Sequence, residues 1–133
     1  MSVSIFCFTV IIVGSFVLFV LDSRRRNRMF HLNPQRELLD DQAIYRLYYS
    51  GSVLSESEVI ELWHEIADTL NMPAGMIRPS DVFGKDIGRG LITTEELDEL
   101  YCLGSKRAKS LGLPIDFLEI RTVDDYIKAF IKT

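Results

Sequence analysis

Ser55-Glu56-Ser57-Glu58-Val59-Ile60-Glu61-Leu62-Trp63-His64-Glu65-Ile66-Ala67-Asp68-Thr69-Leu70-Asn71 carries the clearest structural signal in the chain. Ser55 and Glu58 have the spacing of a capping box, in which each side chain reaches the other's backbone N–H and closes the first helical turn. Leu54 and Val59 flank that cap as a hydrophobic staple. Val59, Leu62, Trp63, Ile66 and Leu70 then recur at three and four residues, so the segment predicts a helix with one buried stripe. Asn71 and Pro73 stop it.

Reading outward from this helix, the rest of the soluble part predicts the same class of structure. On the C-terminal side, Met72–Ile92 is a long loop with four glycines and two prolines. Its apolar residues Met76, Ile77, Val82, Phe83 and Ile87 predict that it packs over its own domain. Thr93-Thr94-Glu95-Glu96 opens the next helix, with Leu97, Leu100, Tyr101, Ala108 and Leu111 on its buried face and Gly112 at its end. Lys106, Arg107 and Lys109 fall in its last turns, where they favour the helix dipole. Pro114–Ile120 reads as a short turn, and Thr122 caps a final helix that buries Val123, Tyr126, Ile127, Phe130 and Ile131. On the N-terminal side, Asn33-Pro34 marks a helix start and Gly51 a helix end, with Leu39, Ala43, Ile44, Leu47 and Tyr48 between them. No segment alternates as a strand does, so the expected class is all-α.

The chain begins differently. Val3–Leu21 is a run of nineteen residues without a charge. As a helix it would be about 28 Å long, close to the thickness of a hydrocarbon core. A cleaved signal peptide needs a basic start, a shorter apolar run and small residues at a cleavage site. Met1-Ser2-Val3 and Leu21-Asp22-Ser23-Arg24 supply none of these. Arg24, Arg25, Arg26 and Arg28 follow the run at once, and positive charge on that side predicts a cytoplasmic C-terminal part. The sequence therefore divides into a transmembrane anchor at 1–22, a basic juxtamembrane linker at 23–33 and a helical domain at 34–133. The expected location is the inner membrane, with the bilayer contacting residues 3–21.

Charge narrows the partners. Met29–Thr133 holds 11 of the 15 basic residues and 18 of the 19 acidic ones, a formal charge of −7. Such a domain repels nucleic acid and suits a basic protein surface. Cys7 and Cys102 form neither a disulfide framework nor a metal spacing, and Cys102 reads as a small, partly buried side chain.

Catalytic chemistry finds no constellation. His64 has no second histidine at metal-ligand spacing. Adjacent carboxylates at Asp40-Asp41 and Glu95-Glu96 point apart on a helix. Gly84–Gly90 lacks the spacing and the preceding strand of a phosphate loop, and its glycines read as turn formers. Ser80 has no base placed beside it. Tyr45, Tyr48 and Tyr49, near Trp63 along the chain, read as core packing ahead of a recognition patch. The chain is expected to be a binding module without a cofactor, not an enzyme.

From Ser55 to Thr133 the order of elements resembles the acyl carrier protein fold: long helix, long loop, helix, short element, terminal helix. Leu113-Pro114-Ile115-Asp116 followed by Ile120-Arg121-Thr122-Val123-Asp124-Asp125-Tyr126-Ile127 is similar to the carrier stretch in which an "I-P" turn leads to "T-V-…-I". Phe83-Gly84-Lys85-Asp86-Ile87-Gly88 is similar to the carrier's "F-…-D-L-G". Arg78-Pro79-Ser80-Asp81-Val82-Phe83 resembles a loop of small, uncharacterised bacterial carrier-like proteins. Carriers bear phosphopantetheine on the serine of an Asp-Ser-Leu triplet after this loop, whereas here Arg89-Gly90-Leu91-Ile92-Thr93-Thr94-Glu95-Glu96 follows. The resemblance thus implies a carrier fold without its arm, with Thr93 and Thr94 as the substitute hydroxyls to weigh. It also implies recognition of a protein partner through Glu95, Glu96, Asp98 and Glu99, since carriers present acidic helix faces to basic patches. A genuine acyl or lipid carrier modified at a threonine, and an immunity or inhibitor-type membrane protein, are the alternatives.

Overall fold

The computed structural model describes residues 11–21, 35–88 and 95–131. Residues 3–10 of the predicted span, the four arginines of the linker, Asn33-Pro34, Thr93 and Thr94 lie outside the described residues. Residues 11–21 are helical (α1), and Ile11, Ile12, Phe16, Leu18 and Phe19 project largely exposed from it. The described part of α1 covers about 16 Å at the α-helical rise. Among the described residues no helix is long and apolar enough to cross a membrane.

The described part of the domain is all-helical: α2 (Asp41–Tyr48), α3 (Glu56–Thr69), a 3-10 turn (Ala74–Met76), α4 (Glu95–Leu111) and α5 (Val123–Phe130). Among the described residues no strand forms, and only two isolated bridges pair backbone, Val82 with Thr122 and Phe83 with Ile87. The central element is α3, against which α2, the 3-10 turn, α4 and α5 all pack.

Local sequence accounts for α3 at both ends. Ser55 accepts the Glu58 N–H, and Leu54 and Val59 are both buried beside the cap. At the other end Asn71 adopts the left-handed region at φ 52°. There Asn71 N–H donates to Asp68 O and Met72 N–H to Ala67 O, the paired bonds of a Schellman closure. Val59, Leu62, Trp63, Ile66, Ala67 and Leu70 are all buried, and the Trp63 indole donates to Ala74 O at 2.9 Å. Tyr48 stacks on Trp63 with ring centroids 6.5 Å apart, and Tyr49 meets it edge-on at 6.2 Å. Two of the three tyrosines therefore pack on Trp63, while the Tyr45 hydroxyl donates to Leu54 O at 2.8 Å.

The start of α2 differs from expectation. Residues 36–40 are not helical, and Asp40, accepting the Ala43 N–H at 2.7 Å, is the true cap. The preceding backbone is engaged elsewhere, since Leu39 N–H donates to Gly75 O. A Cβ at Gly75 would lie 2.2 Å from Leu39 O, so glycine alone admits this close approach. Leu47 points outward, and the helix ends at Tyr48, ahead of Gly51.

The inner face of α4 is narrower than the periodicity predicts. Leu100, Gly104 and Ala108 are buried and Leu97 half-buried, whereas Tyr101, Cys102 and Leu111 are exposed. Gly104 explains the difference: a Cβ there would meet Phe117 at 2.9 Å and Phe130 at 3.2 Å. Phe117 and Phe130 fill the notch beside it, and Tyr101 packs its ring on Phe117 at 4.7 Å instead of entering the core. Gly112, at φ 64°, ends the helix, and α5 opens on a full capping box between Thr122 and Asp125.

Candidate functional site

Glu95, Asp98 and Glu99 are exposed in the first turns of α4, and Glu96 is half-buried. Spacings of three and four residues put Glu95, Asp98 and Glu99 on one helical face. Acidic side chains are also at home here, because the N-terminal end of a helix carries partial positive charge. The structure thus brings together the expected acidic surface as a solvent-facing group of carboxylates at one end of a 17-residue helix.

A second constellation, which the sequence pattern did not indicate, centres on the loop 78–83. Asp81 is 1% exposed, and the Arg36 guanidinium donates to its two oxygens at 2.8 and 2.6 Å. Arg78 N–H gives it a third bond at 2.8 Å. This carboxylate holds the Arg36 guanidinium above its ordinary pKa. Arg36 also donates to Met76 O, and Arg78 to Gly75 O, Ile77 O and Glu37 O. On the other side of the loop, Val123 N–H donates to Asp81 O, Asp124 N–H to Pro79 O and Phe83 N–H to Arg121 O. Arg78–Phe83 is therefore a hub that ties residues 36–39 to the start of α5. The two residues are 45 positions apart, so no local pattern in the sequence marks the pair.

A third network joins three helices. Glu65 of α3 accepts from the Arg107 guanidinium of α4 and from the Tyr126 hydroxyl of α5 at 2.8 Å. Burial, reinforced by Glu65, pushes the Tyr126 phenol above the ordinary tyrosine range. Burial does the same to Tyr49, whose hydroxyl donates to Asp124 at 3.1 Å. These hydroxyls are donors in place, not poised nucleophiles.

The remaining candidates stay where the sequence put them. His64 lies against the Asp41 carboxylate at 2.9 and 3.0 Å, with both side chains about half exposed. Nearby, Asp41, Ser55, Glu56, Ser57 and Ile60 line a shallow, open hollow of about 580 Å³. Ser80 is exposed. Gly84 and Gly88 take positive φ, and a Cβ on Gly88 would lie 2.5 Å from Leu97, so they serve turn geometry and packing. Among the described residues no group of His, Cys, Asp or Glu is placed to hold a metal ion. Comparison of the chain with protein-family models, curated proteins and solved structures found no match.

Proposed function

We propose that this chain is a membrane-anchored, acyl-carrier-like interaction module that carries no phosphopantetheine arm and binds a protein partner through the opening of α4. The observation that carries this reading is the exposed group Glu95, Asp98 and Glu99 on a helix whose inner face packs on α3. A negative face of this kind speeds and orients docking on a basic surface, even where it adds little affinity. The succession of α3, the long loop, α4, the turn at 117–119 and α5 supports the carrier likeness. The sequence after Gly88, which has no Asp-Ser-Leu, supports the absence of the arm. The uncharged run at 3–21 and the arginines behind it support an anchor that leaves the domain on the cytoplasmic face of the inner membrane.

The test places a photoreactive residue at Glu99 of the full chain in its membrane. The expected result is a crosslink to one protein that disappears in Glu95→Lys/Asp98→Lys and at high salt. A crosslink indifferent to both, or none, would count against the acidic face. Intact mass after co-expression with a broad phosphopantetheinyl transferase should show unmodified protein. A stoichiometric adduct on Thr93 or Thr94 would make the chain a genuine carrier.

A further inference from the structure

The inner face of α4, with Leu100, Gly104 and Ala108, packs on α3 and receives Phe117 and Phe130 beside Gly104. The opposite face is open to solvent. Glu95, Asp98, Glu99, Cys102, Lys106 and Lys109 are all exposed. Their spacings of three and four residues place them in one stripe about 21 Å long at the α-helical rise. Arg107 lies off this stripe and pairs with Glu61 and Glu65 of α3.

Charge is sorted along the stripe. Its three carboxylates occupy the N-terminal half and its two lysines the C-terminal half, with Cys102 between them. The helix dipole accounts for charges in the first and last turns, which hold Glu95, Asp98 and Lys109 but neither Glu99 nor Lys106. Nor does the sorting help the helix from within. Glu95 and Glu99 are like charges at neighbouring positions, as are Lys106 and Lys109, an arrangement that disfavours an isolated helix. Among the described residues neither lysine forms an ion pair.

A wholly basic surface laid along the stripe would be repelled at Lys106 and Lys109. The complement is a surface sorted in the opposite sense, and the same stripe of a second copy, turned antiparallel, is one. About a two-fold axis at Cys102, Glu95 comes opposite the partner's Lys109, and Asp98 and Glu99 come opposite the partner's Lys106. The small Cys102 side chain at the axis allows the usual helix separation of about 8–10 Å. Such an interface is isologous, the commonest closed arrangement of identical chains.

We propose that α4 pairs antiparallel with α4 of a second copy of this chain, about a two-fold axis at Cys102. This names the partner of the acidic face and rests on the reading of that face above. One helix pair buries less than the roughly 1,200 Å² of a stable specific interface. Anchoring makes up the difference, because two copies held in one bilayer are at high effective concentration. The two-fold axis then runs along the bilayer normal, which keeps both anchors on the same side.

The test uses the full chain in its membrane, with Cys7→Ser so that Cys102 is the one thiol. A short bismaleimide should join Cys102 to Cys102 and give a product of twice the chain's mass. The same reagent on Cys102→Ser/Leu118→Cys should give little, since Leu118, 85% exposed, lies on the 117–119 turn outside the stripe. Glu95→Lys/Asp98→Lys/Glu99→Lys and Lys106→Glu/Lys109→Glu should each lower the dimer yield roughly tenfold, the combined effect of losing several exposed ion pairs. Co-expressing these two variants should restore the yield, since one stripe is then basic throughout and the other acidic. Restoration also shows that both variants fold. A Cys102 product indifferent to the charge reversals and to high salt overturns the inference, as does a mixture that restores nothing. Absence of the product overturns it too. If the photoreactive residue at Glu99 then captures a different protein, the acidic-face reading stands; if it captures nothing, both fall.

Discussion

Arg36→Ala should be among the most damaging single substitutions outside the apolar core. It deletes both guanidinium bonds to Asp81 and the bond to Met76 O. Asp81 then remains buried at 1% exposure with the Arg78 N–H as the one bond left to its side chain among the described residues. Breaking a buried ion pair by removing one partner costs about 3–5 kcal/mol, because the other charge stays desolvated. The Arg36 side chain is 21% exposed, so water can enter from its side and the lower end of that range applies. The assay is urea unfolding of residues 29–133, followed by fluorescence of Trp63, the one tryptophan, which is fully buried. With a slope of roughly 1–2 kcal/mol per molar urea, a loss of about 3 kcal/mol lowers the midpoint by roughly 1.5–3 M. Adding Asp81→Asn to Arg36→Ala should restore part of the loss, since the stranded charge is gone while the amide oxygen still accepts from Arg78. A midpoint unchanged by Arg36→Ala, or a double variant whose losses simply add, would refute the claim that a desolvated charge pair holds residues 36–39 to the loop.

Other outcomes follow from the same packing. Trp63→Ala should cost about 3–5 kcal/mol, read by circular dichroism, and Glu95→Ala less than about 0.5 kcal/mol. An equal effect of the two would contradict the division into core and surface. Tyr49 and Tyr126 both have folded-state pKa values raised by burial first, so their stabilising contribution is complete below the ordinary tyrosine value of about 10 and is lost as pH rises. Absorbance titration should show these two of the five tyrosines ionising only as the domain unfolds; a single uniform titration with the fold intact would rule this out. Thr122→Ala should remove the α5 capping box at about 1 kcal/mol, measured as a lowered midpoint.

Where the sequence was legible, the signal was local. The α3 stripe and its Ser55 cap, and the inward residues of α5, depend on neighbours within four positions, and the structure buries every residue of the two stripes. The exposure of Glu95, Asp98 and Glu99 was legible for the same reason, because Leu97 and Leu100 set which way the helix faces. Errors arose where distant residues decide. Periodicity could not show that Gly104 admits Phe117 and Phe130, which leaves Tyr101 at the rim and Cys102 outside. Asn33-Pro34 is a generic start signal, and contacts of residues 36–39 with the 75–81 loop displace the helix start to Asp41. The Arg36–Asp81 pair, whose members are 45 positions apart, had no local mark at all.

Protease access tests the proposal that a helical domain is held at the cytoplasmic face of a membrane. The full chain with a C-terminal tag is made in a bacterial host, and intact spheroplasts and inverted membrane vesicles are digested from outside. The tag should survive in spheroplasts and be destroyed in inverted vesicles, on a chain that alkaline carbonate does not extract. A tag destroyed in spheroplasts, or a chain released by carbonate, would contradict it.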